Sequence, residues 1–354
     1  MHNVPYIDPA DAASFEACAR HASRIGIVTH TRPDGDAIGS ALAMKRFLEA
    51  SCGAAGKCSL FLDTEAPGQV RFLFSPAEIK ECFISARDPE TAAASAAECD
   101  LLVFLDLNTL SRTGTLESLF RDSVARKVLV DHHLGPERAS FDLVFSDTEV
   151  SSTCELLYFV LTCLPCSAGK ALPQECLDPL LTGITTDTNN FANSVSGTTL
   201  SVVSELLDAG ARRERILEEV FNRYPERRVR LMGRLLDRGL TLTEQGAAVM
   251  VLDEKTAAEF GILDGETEGF VNLPLAIDRV KMSLFLKQEG PKYRVSIRSK
   301  KGWSANRLAV RYFAGGGHEQ ASGGQLVPEG GTAAEAVAAL ACRYTDEFLA
   351  DEKN

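Results

Sequence analysis

Val128-Leu129-Val130-Asp131-His132-His133 is a short apolar run that ends in one carboxylate and two imidazoles. Its apolar half reads as a buried strand of a parallel sheet, because such strands are covered on both faces and appear as continuous Val, Ile and Leu. Three ionisable side chains at the mouth of that strand are costly to desolvate unless something pairs them, and a divalent metal is an economical partner. The same pattern occurs twice upstream. Ile25-Gly26-Ile27-Val28-Thr29 runs into His30, and Leu101-Leu102-Val103-Phe104-Leu105 runs into Asp106. In open α/β sheets ligands collect beyond the carboxyl ends of the strands, so the three endings are expected to meet in space. Chance explains this poorly, since three of the chain's six histidines sit at these ends.

Further acids join the set. After His30 comes Thr31-Arg32-Pro33-Asp34-Gly35-Asp36, in which Pro33 and Gly35 predict a tight, non-helical turn ahead of a helix from Ala41 to Leu48. Asp34 and Asp36 would repel one another in water, but can reach two neighbouring cations. A helix is expected from Glu90 to Glu98, before the strand that ends at Asp106. The loop that follows, Leu107 to Gly114, carries Arg112, which either contacts phosphate or buffers the nearby acids. Ser152 to Glu155 has capping-box spacing and starts a helix through Leu161. The apolar segment Leu180 to Thr186 then delivers a fourth carboxylate, Asp187. Lys57 to Leu62 is a further strand, with no chemistry expected at its end.

A chain of 354 residues exceeds the usual size of a single core, so two domains are expected. No apolar run approaches the roughly 20 residues of a membrane helix, and Met1-His2-Asn3-Val4-Pro5 lacks a signal-peptide pattern. The expected location is the cytoplasm, with no membrane partner. Ten scattered cysteines suggest reduced thiols, and Cys163-Leu164-Pro165-Cys166, without a second such pair, reads as packed residues near a helix end. A formal charge of −12 argues against a protein that coats long nucleic acid, yet leaves room for a short phosphorylated substrate.

The pattern changes in the last third. Arg212 to Gly239, with Arg223, Arg227, Arg228, Arg230, Arg234 and Arg238, reads as a helical connector with a solvated face. Strands follow at Ala247 to Leu252, Lys281 to Leu286 and Tyr293 to Arg298, then a helix from Asn306 to Phe313. Thr332 and Glu335 are placed to box the start of a last helix. Between these helices, Gly315-Gly316-Gly317 leaves backbone amides uncovered beside His318, and with Arg298 and Ser299 this predicts a clamp for phosphate or a nucleobase. The expected architecture is α/β: a doubly wound, mainly parallel sheet over residues 1–212, a helical connector over 213–240, and a smaller α/β domain with a mixed sheet over 241–354.

With His30-x3-Asp34-x-Asp36, Asp106, Asp131-His132-His133, Asp187 and Gly315-Gly316-Gly317-His318 in order, the sequence resembles the DHH phosphoesterase superfamily. It is most similar to the branch with a C-terminal DHH-associated domain, which includes bifunctional oligoribonuclease/pAp phosphatases (nanoRNases) and enzymes that cleave cyclic or linear dinucleotides. The resemblance implies two metal ions, usually manganese, with magnesium possible. His30, Asp34 and Asp106 would hold one ion, and Asp36, Asp106, His132 and Asp187 the other. It also implies that the C-terminal domain recognises nucleotide, making Arg298, Ser299, Asn306 and His318 candidate contacts, and that the protein is a homodimer. Asn189 stands where relatives commonly have Gly, and Trp303-Ser304-Ala305 departs from the family's usual sequence.

The expected activity is two-metal hydrolysis of short RNA or of 3′-phosphoadenosine 5′-phosphate (pAp). Asp131 would orient His132, and His133 would meet the scissile phosphate or the leaving oxygen. The alternatives are a phosphodiesterase for cyclic di-AMP or pApA, a non-catalytic nucleotide sensor, and a pyrophosphate or polyphosphate hydrolase. The filled ligand positions count against the sensor, and the glycine-rich clamp counts against the last.

Overall fold

The computed structural model describes residues 4–81, 83–263, 265–328 and 333–352, apart from the side chains of 80–85. The chain divides into two compact units, Met1–Arg223 and Tyr224–Asn354.

Unit 1 is built on six strands: β1 (Ile25–Thr29), β2 (Cys58–Leu62), β3 (Phe83–Ser85), β4 (Leu101–Leu105), β5 (Arg126–Asp131) and β6 (Leu143–Ser146). They lie in the order β3-β2-β1-β4-β5-β6, every pair parallel. Its helices are α1 (Pro9–His21), α2 (Gly35–Ser51), α3 (Pro76–Glu81), α4 (Pro89–Glu98), α5 (Glu117–Arg121), α6 (Thr153–Cys163), α7 (Gln174–Asp187), α8 (Gly197–Asp208) and α9 (Arg213–Phe221). Successive residues of a strand point to opposite faces. Ile25, Ile27, Val103, Leu105 and Val130 accordingly enter one core, while Val28, Leu102, Phe104 and Leu129 enter the other. Both faces of the sheet are therefore covered, which is why β1 and β4 are buried along their whole length rather than at alternate positions. Each such side chain contributes about 1.5–3 kcal/mol by leaving water. The strand order reverses between β1 and β4, so the crevice beyond their carboxyl ends is the topological switch point of the sheet.

Unit 2 adds α10 (Glu226–Arg234), α11 (Glu254–Glu259), α12 (Ala305–Tyr312) and α13 (Ala334–Asp351) to a sheet of β7 (Leu240–Leu242), β8 (Ala247–Leu252), β9 (Met282–Glu289), β10 (Lys292–Ser299), β11 (Gly316–Gly317) and β12 (Ala321–Leu326). The order is β11-β12-β10-β9-β8-β7, with β8 and β9 parallel and the other pairs antiparallel, so the sheet is mixed. Tyr293, Val295 and Ile297 pack with residues of α12 and α13 on one face, and Phe285 packs with Phe270 and Leu231 on the other. Thr332, expected to cap the last helix, lies outside the described residues, and α13 starts after Ala333.

The arginine-rich stretch is not one helix, because Pro225 starts α10 after α9 has ended at Phe221. Most of its guanidiniums meet nearby acids: Arg223 with Glu219, Arg227 with Glu266, Arg230 with Glu226 and Arg238 with Asp237. Arg228 differs from these four. It is buried, its guanidinium 4.0 Å from the Tyr224 ring centroid and 4.8 Å from that of Phe270, and it donates to the carbonyls of Glu266 and Glu268. Cys163 is exposed rather than packed, whereas the Cys166 sulfur faces that of Cys52 at 3.8 Å. Among the described residues no helix is long and apolar enough to cross a membrane.

Candidate functional site

β1, β4 and β5 end in His30, Asp106 and Asp131-His132-His133, and the crevice at the switch point gathers them with Asp34, Asp36 and Asp187. Asp106 lies at the centre. Its Oδ2 is 3.4 Å from His30 Nε2, and its Oδ1 is 3.7 Å from His132 Nε2 and 3.6 Å from His133 Nδ1. His30 Nε2 is also 3.9 Å from Asp34 Oδ1, while His132 Nε2 lies 3.9 Å from Asp36 Oδ2 and 3.4 Å from Asp187 Oδ2. Two of the donor groups so formed are His30/Asp34/Asp106 and Asp36/Asp106/His132, and Asp106 belongs to both.

Local backbone chemistry sets these positions. Asp106 has a left-handed backbone (φ 61°), a conformation that L-residues other than Asn and Asp seldom adopt, and its amide still bonds the Val130 carbonyl. The Thr153 hydroxyl donates to its Oδ1 at 3.1 Å. His30 Nδ1 donates to the Thr31 carbonyl at 2.8 Å, which leaves Nε2 as the lone-pair nitrogen facing Asp106 and Asp34. Asp34 is the N-cap of α2, accepting from the amides of Asp36 and Ala37 at 3.0 and 3.1 Å. Gly35 is thus the first helical residue, not part of the non-helical turn expected there, because the Asp34 carboxylate satisfies the helix's free amides at that point.

Asp36 is buried and takes the Thr153 and Cys154 amides at 2.7 and 2.9 Å, at the N-terminus of α6. That contact requires close approach of three helices. A Cβ on Gly39 would stand 2.5 Å from the Pro179 carbonyl of α7, and one on Gly183 only 2.2 Å from Cys154 Sγ and 2.6 Å from Asp36 Oδ1. Asp187 lies in the last turn of α7. Asn189 after it adopts φ 50°, the left-handed angle that glycine would take without strain.

Burial and then the carboxylates of Asp106, Asp187 and Asp34 push the pKa of Asp36 well above the ordinary range. Burial opposes ionisation of Asp106 too, but the imidazoles of His30, His133 and His132 outweigh it and hold its pKa far down. For His30, burial is outweighed by Asp106 and Asp34, and its pKa rises. His133, mainly through burial, is shifted down. A buried carboxylate crowded by other carboxylates is relieved by a proton or by a cation, and these donors suit a cation. They are oxygen-rich with imidazole nitrogen, while the nearby Cys154 thiol points at backbone carbonyls and is kept protonated by burial. That set matches Mn²⁺ or Mg²⁺ better than a thiolate-preferring ion.

Several details differ from expectation. Asp131 bonds His133 rather than His132: its Oδ1 accepts from Nδ1 of that ring at 2.7 Å, and its Oδ2 from the His133 amide at 3.1 Å. The two-residue separation lets the Asp131 carboxylate fold back over its own turn. β2 does carry chemistry at its end, in Asp63. Its Oδ1 accepts from the amide and hydroxyl of Thr115, at 2.9 and 2.6 Å, and its Oδ2 from the Thr31 hydroxyl. Asp63 follows its strand as His30 and Asp106 follow theirs, so the strand-end rule was sufficient to find it. Arg112 lies on the loop that carries Thr115, its carbonyl accepting from the Thr31 amide at 2.7 Å. Its charge, with burial, opposes protonation of His30 and His133.

In unit 2, Gly315 and Gly317 serve the crossing of β11 and β12. A Cβ at Gly315 would lie 1.9 Å from the Gly323 carbonyl and one at Gly317 2.8 Å from that of Ala321, whereas Gly316 faces open space. The Gly315 amide bonds the Ala309 carbonyl and the His318 amide that of Ala321, so neither is uncovered as expected from the glycine run. Asn306 donates to the Gly317 carbonyl and fixes the hairpin. Ser299 is buried and donates to the Trp303 carbonyl at 2.5 Å, while Arg298 Nη1 bonds the Ile297 carbonyl at 2.9 Å.

Comparison with known proteins places these features in a wider set. The family model "DHH family, N-terminal domain" matches residues 24–184, and the "DHHA1 domain" model matches residues 245–343. The bifunctional oligoribonuclease and PAP phosphatase NrnA of Thermus thermophilus is 32% identical over 308 residues, covering 85% of this chain and 84% of that protein. The cyclic-di-AMP phosphodiesterase PdeA of Listeria monocytogenes is 30% identical over 200 residues, covering 54% of this chain and 28% of that one. Among solved structures, an exopolyphosphatase-related protein from Bacteroides fragilis superposes with a TM-score of 0.87 at 31% identity, covering 99% of this chain and all of its own.

Proposed function

Because the chain belongs to the DHH family of phosphoesterases and carries its C-terminal DHHA1 domain, we propose that it hydrolyses short oligoribonucleotides to mononucleotides, and pAp to AMP and phosphate. The observation that carries this reading is the pair of donor groups sharing Asp106, in a chain similar to an oligoribonuclease and PAP phosphatase over 85% of its length. His30, Asp34 and Asp106 would hold one divalent ion, and Asp36, Asp106, His132 and Asp187 a second, with Mn²⁺ the preferred metal and Mg²⁺ a substitute. Bound there, such ions supply Lewis acidity at the phosphoryl group and lower the pKa of water.

The chain's own residues do the rest. The α6 amides and the Thr153 hydroxyl fix the Asp36 and Asp106 oxygens before substrate arrives, so no reorganisation is needed at the reacting centre. His133 donates Nδ1–H to Asp131, which keeps Nε2 as its exchangeable position. An anionic phosphoryl group beside it favours the protonated ring, and that ring donates to the leaving oxygen. Arg112 neutralises phosphate charge at the edge of the same cluster. In unit 2, Arg298 and His318 are our candidates for nucleotide contacts, with Asn306, Ser299 and the Gly315-Gly316-Gly317 hairpin as their support.

The test is turnover of pAp, a diribonucleotide, cyclic di-AMP and pyrophosphate with Mn²⁺, by the wild-type chain and by Asp106→Ala. Fast release from pAp and the diribonucleotide, abolished in the variant, supports the reading. Strong preference for cyclic di-AMP would transfer the assignment to the phosphodiesterase reading, which the similarity to PdeA keeps in view.

A further inference from the structure

Asp63 lies outside the group of candidate metal-binding residues, yet two loops that border the metal centre close on it. One loop follows His30 and offers the Thr31 hydroxyl; the other, Leu110–Leu116, offers the amide and hydroxyl of Thr115. Three donors converge on one carboxylate, so that both of its oxygens accept charge-assisted bonds. They outweigh its burial and keep its pKa low, so the grip is that of an anion at neutral pH. The second loop is shaped for this contact. Gly114 has φ 66°, and a Cβ there would stand 2.6 Å from the Asp63 carboxylate, so the residue between Thr113 and Thr115 has no room for a side chain. The loops are also joined directly, since the Thr31 amide donates to the Arg112 carbonyl at 2.7 Å. Arg112 is therefore held from both sides, three residues ahead of Thr115 and bonded to the residue after His30.

We propose that Asp63 is a positioning residue: by gripping Thr31 and Thr115 it holds Arg112 at the edge of the metal centre, where the guanidinium binds the substrate's phosphate. This rests on the phosphoesterase reading of the site, and it adds a determinant that touches neither metal nor substrate. An arginine on an untethered loop would have to be ordered each time substrate bound. The Asp63 brace pre-organises it, and the gain should appear in substrate affinity rather than in the chemical step.

The experiment is a double-mutant cycle on the full chain with Mn²⁺, using pAp and a diribonucleotide. Arg112→Ala and Asp63→Ala should each lower kcat/KM by about 10–100-fold, mostly through KM, since a hydrogen bond to a charged group is at stake in both. The double variant should fall no more than about threefold below either single one, because both remove the same contact. Thr115→Val, which deletes one of the three donors, should give a smaller loss of the same kind, and Asp63→Asn should recover part of the Asp63→Ala loss. Mn²⁺ affinity should stay within about threefold throughout. Additive losses in the double variant, or a wild-type KM in Asp63→Ala, overturn the proposal; if Asp63→Ala does not fold, Asp63→Asn and Thr115→Val carry the cycle with the same criteria. If the wild-type chain cleaves no nucleotide, the functional reading fails by itself. The brace is then read calorimetrically from the binding of inorganic phosphate to Mn²⁺-loaded protein, where Arg112→Ala and Asp63→Ala must weaken binding alike, and a loss confined to Arg112→Ala refutes it.

Discussion

Gly183→Ala tests whether helix crossing, rather than ligand chemistry alone, places Asp36. The added methyl would lie 2.2 Å from Cys154 Sγ, 2.9 Å from Cys154 Cβ and 2.6 Å from Asp36 Oδ1. Relaxed contacts between such atoms are about 3.5 Å or more, so the carboxylate must retreat by about 1 Å or the helices must part. Neither neighbour gives way easily. Cys154 is in the first turn of α6, and the Asp36 oxygens are bonded to the Thr153 and Cys154 amides of the same turn. Overpacking costs about 1–3 kcal/mol, and replacing a helical glycine by alanine returns about 1 kcal/mol, leaving a net loss of about 0–2 kcal/mol. For a unit of this size that lowers Tm by no more than about 8 °C. Catalysis should suffer far more, because about 1 Å of misplacement can cost on the order of 100-fold. The assay is hydrolysis of pAp beside Mn²⁺ titration by calorimetry and thermal unfolding. Adding Cys154→Ala removes the sulfur contact but not the one to Asp36, so it should restore Tm more than activity. A Gly183→Ala variant with wild-type Mn²⁺ affinity and kcat/KM would refute the placement of Asp36 argued here.

Asp106→Ala should abolish turnover, by about 10³-fold or more, with far-ultraviolet circular dichroism unchanged, because one substitution removes a ligand from both donor groups. Asp36→Asn should abolish the Tm increase that Mn²⁺ gives the wild type, because the amide nitrogen that replaces one carboxylate oxygen cannot ligate and turns an N–H toward the Thr153 or Cys154 amide. Glu78 supplies a pH test: burial raises its pKa, but bonds from Arg46 and the Ser75 amide outweigh this and bring it down to about 2 from an ordinary 4.5. A depressed carboxylate stabilises the fold above its unfolded pKa and loses that contribution as pH falls. Unfolding curves should therefore show the wild type losing more stability than Glu78→Gln between pH 4.5 and about 2. In unit 2, Arg228→Met should destabilise by about 2–4 kcal/mol in denaturant titrations, since it leaves the Glu266 and Glu268 carbonyls without their donor.

The parallel sheet was legible because burial on both faces imposes a composition, and β1, β4 and the Val128–Val130 part of β5 carry it. Convergence of their ends followed from topology, since parallel strands deliver all their carboxyl ends to one edge. What could not be read was the choice of partner. Asp131 adjoins His132 and stands two residues from His133, and only the turn beyond β5 decides that its carboxylate meets the second ring. The glycine run at 315–317 carried two meanings, open backbone for a ligand or room for another strand. The close approach of the Gly323 carbonyl to Gly315 selects the second, and leaves Gly316 as the open position. Asp63 ends its strand as His30 and Asp106 do, but its partners are loop hydroxyls and an amide, which have no sequence pattern of their own.

The same distinction explains why Gly39 and Gly183 carry as much of the site as its acids do. A carboxylate declares its chemistry by type, but it binds an ion only if its oxygens reach the right place, and for Asp36 that place is set by how closely α2, α6 and α7 cross. The amides of α6 hold the carboxylate, and the missing side chains at Gly39 of α2 and Gly183 of α7 let those amides arrive. In the metal-free protein this arrangement works against stability, because it forces Asp36 among Asp106, Asp187 and Asp34. Folding alone would not favour such crowding, and a divalent ion converts each of those repulsions into an attraction. Stability gained from Mn²⁺ should accordingly track the closeness of the helix crossing, so that Gly39→Ala, which meets the Pro179 carbonyl and not Asp36, should lower Tm while shrinking that gain less than Gly183→Ala does.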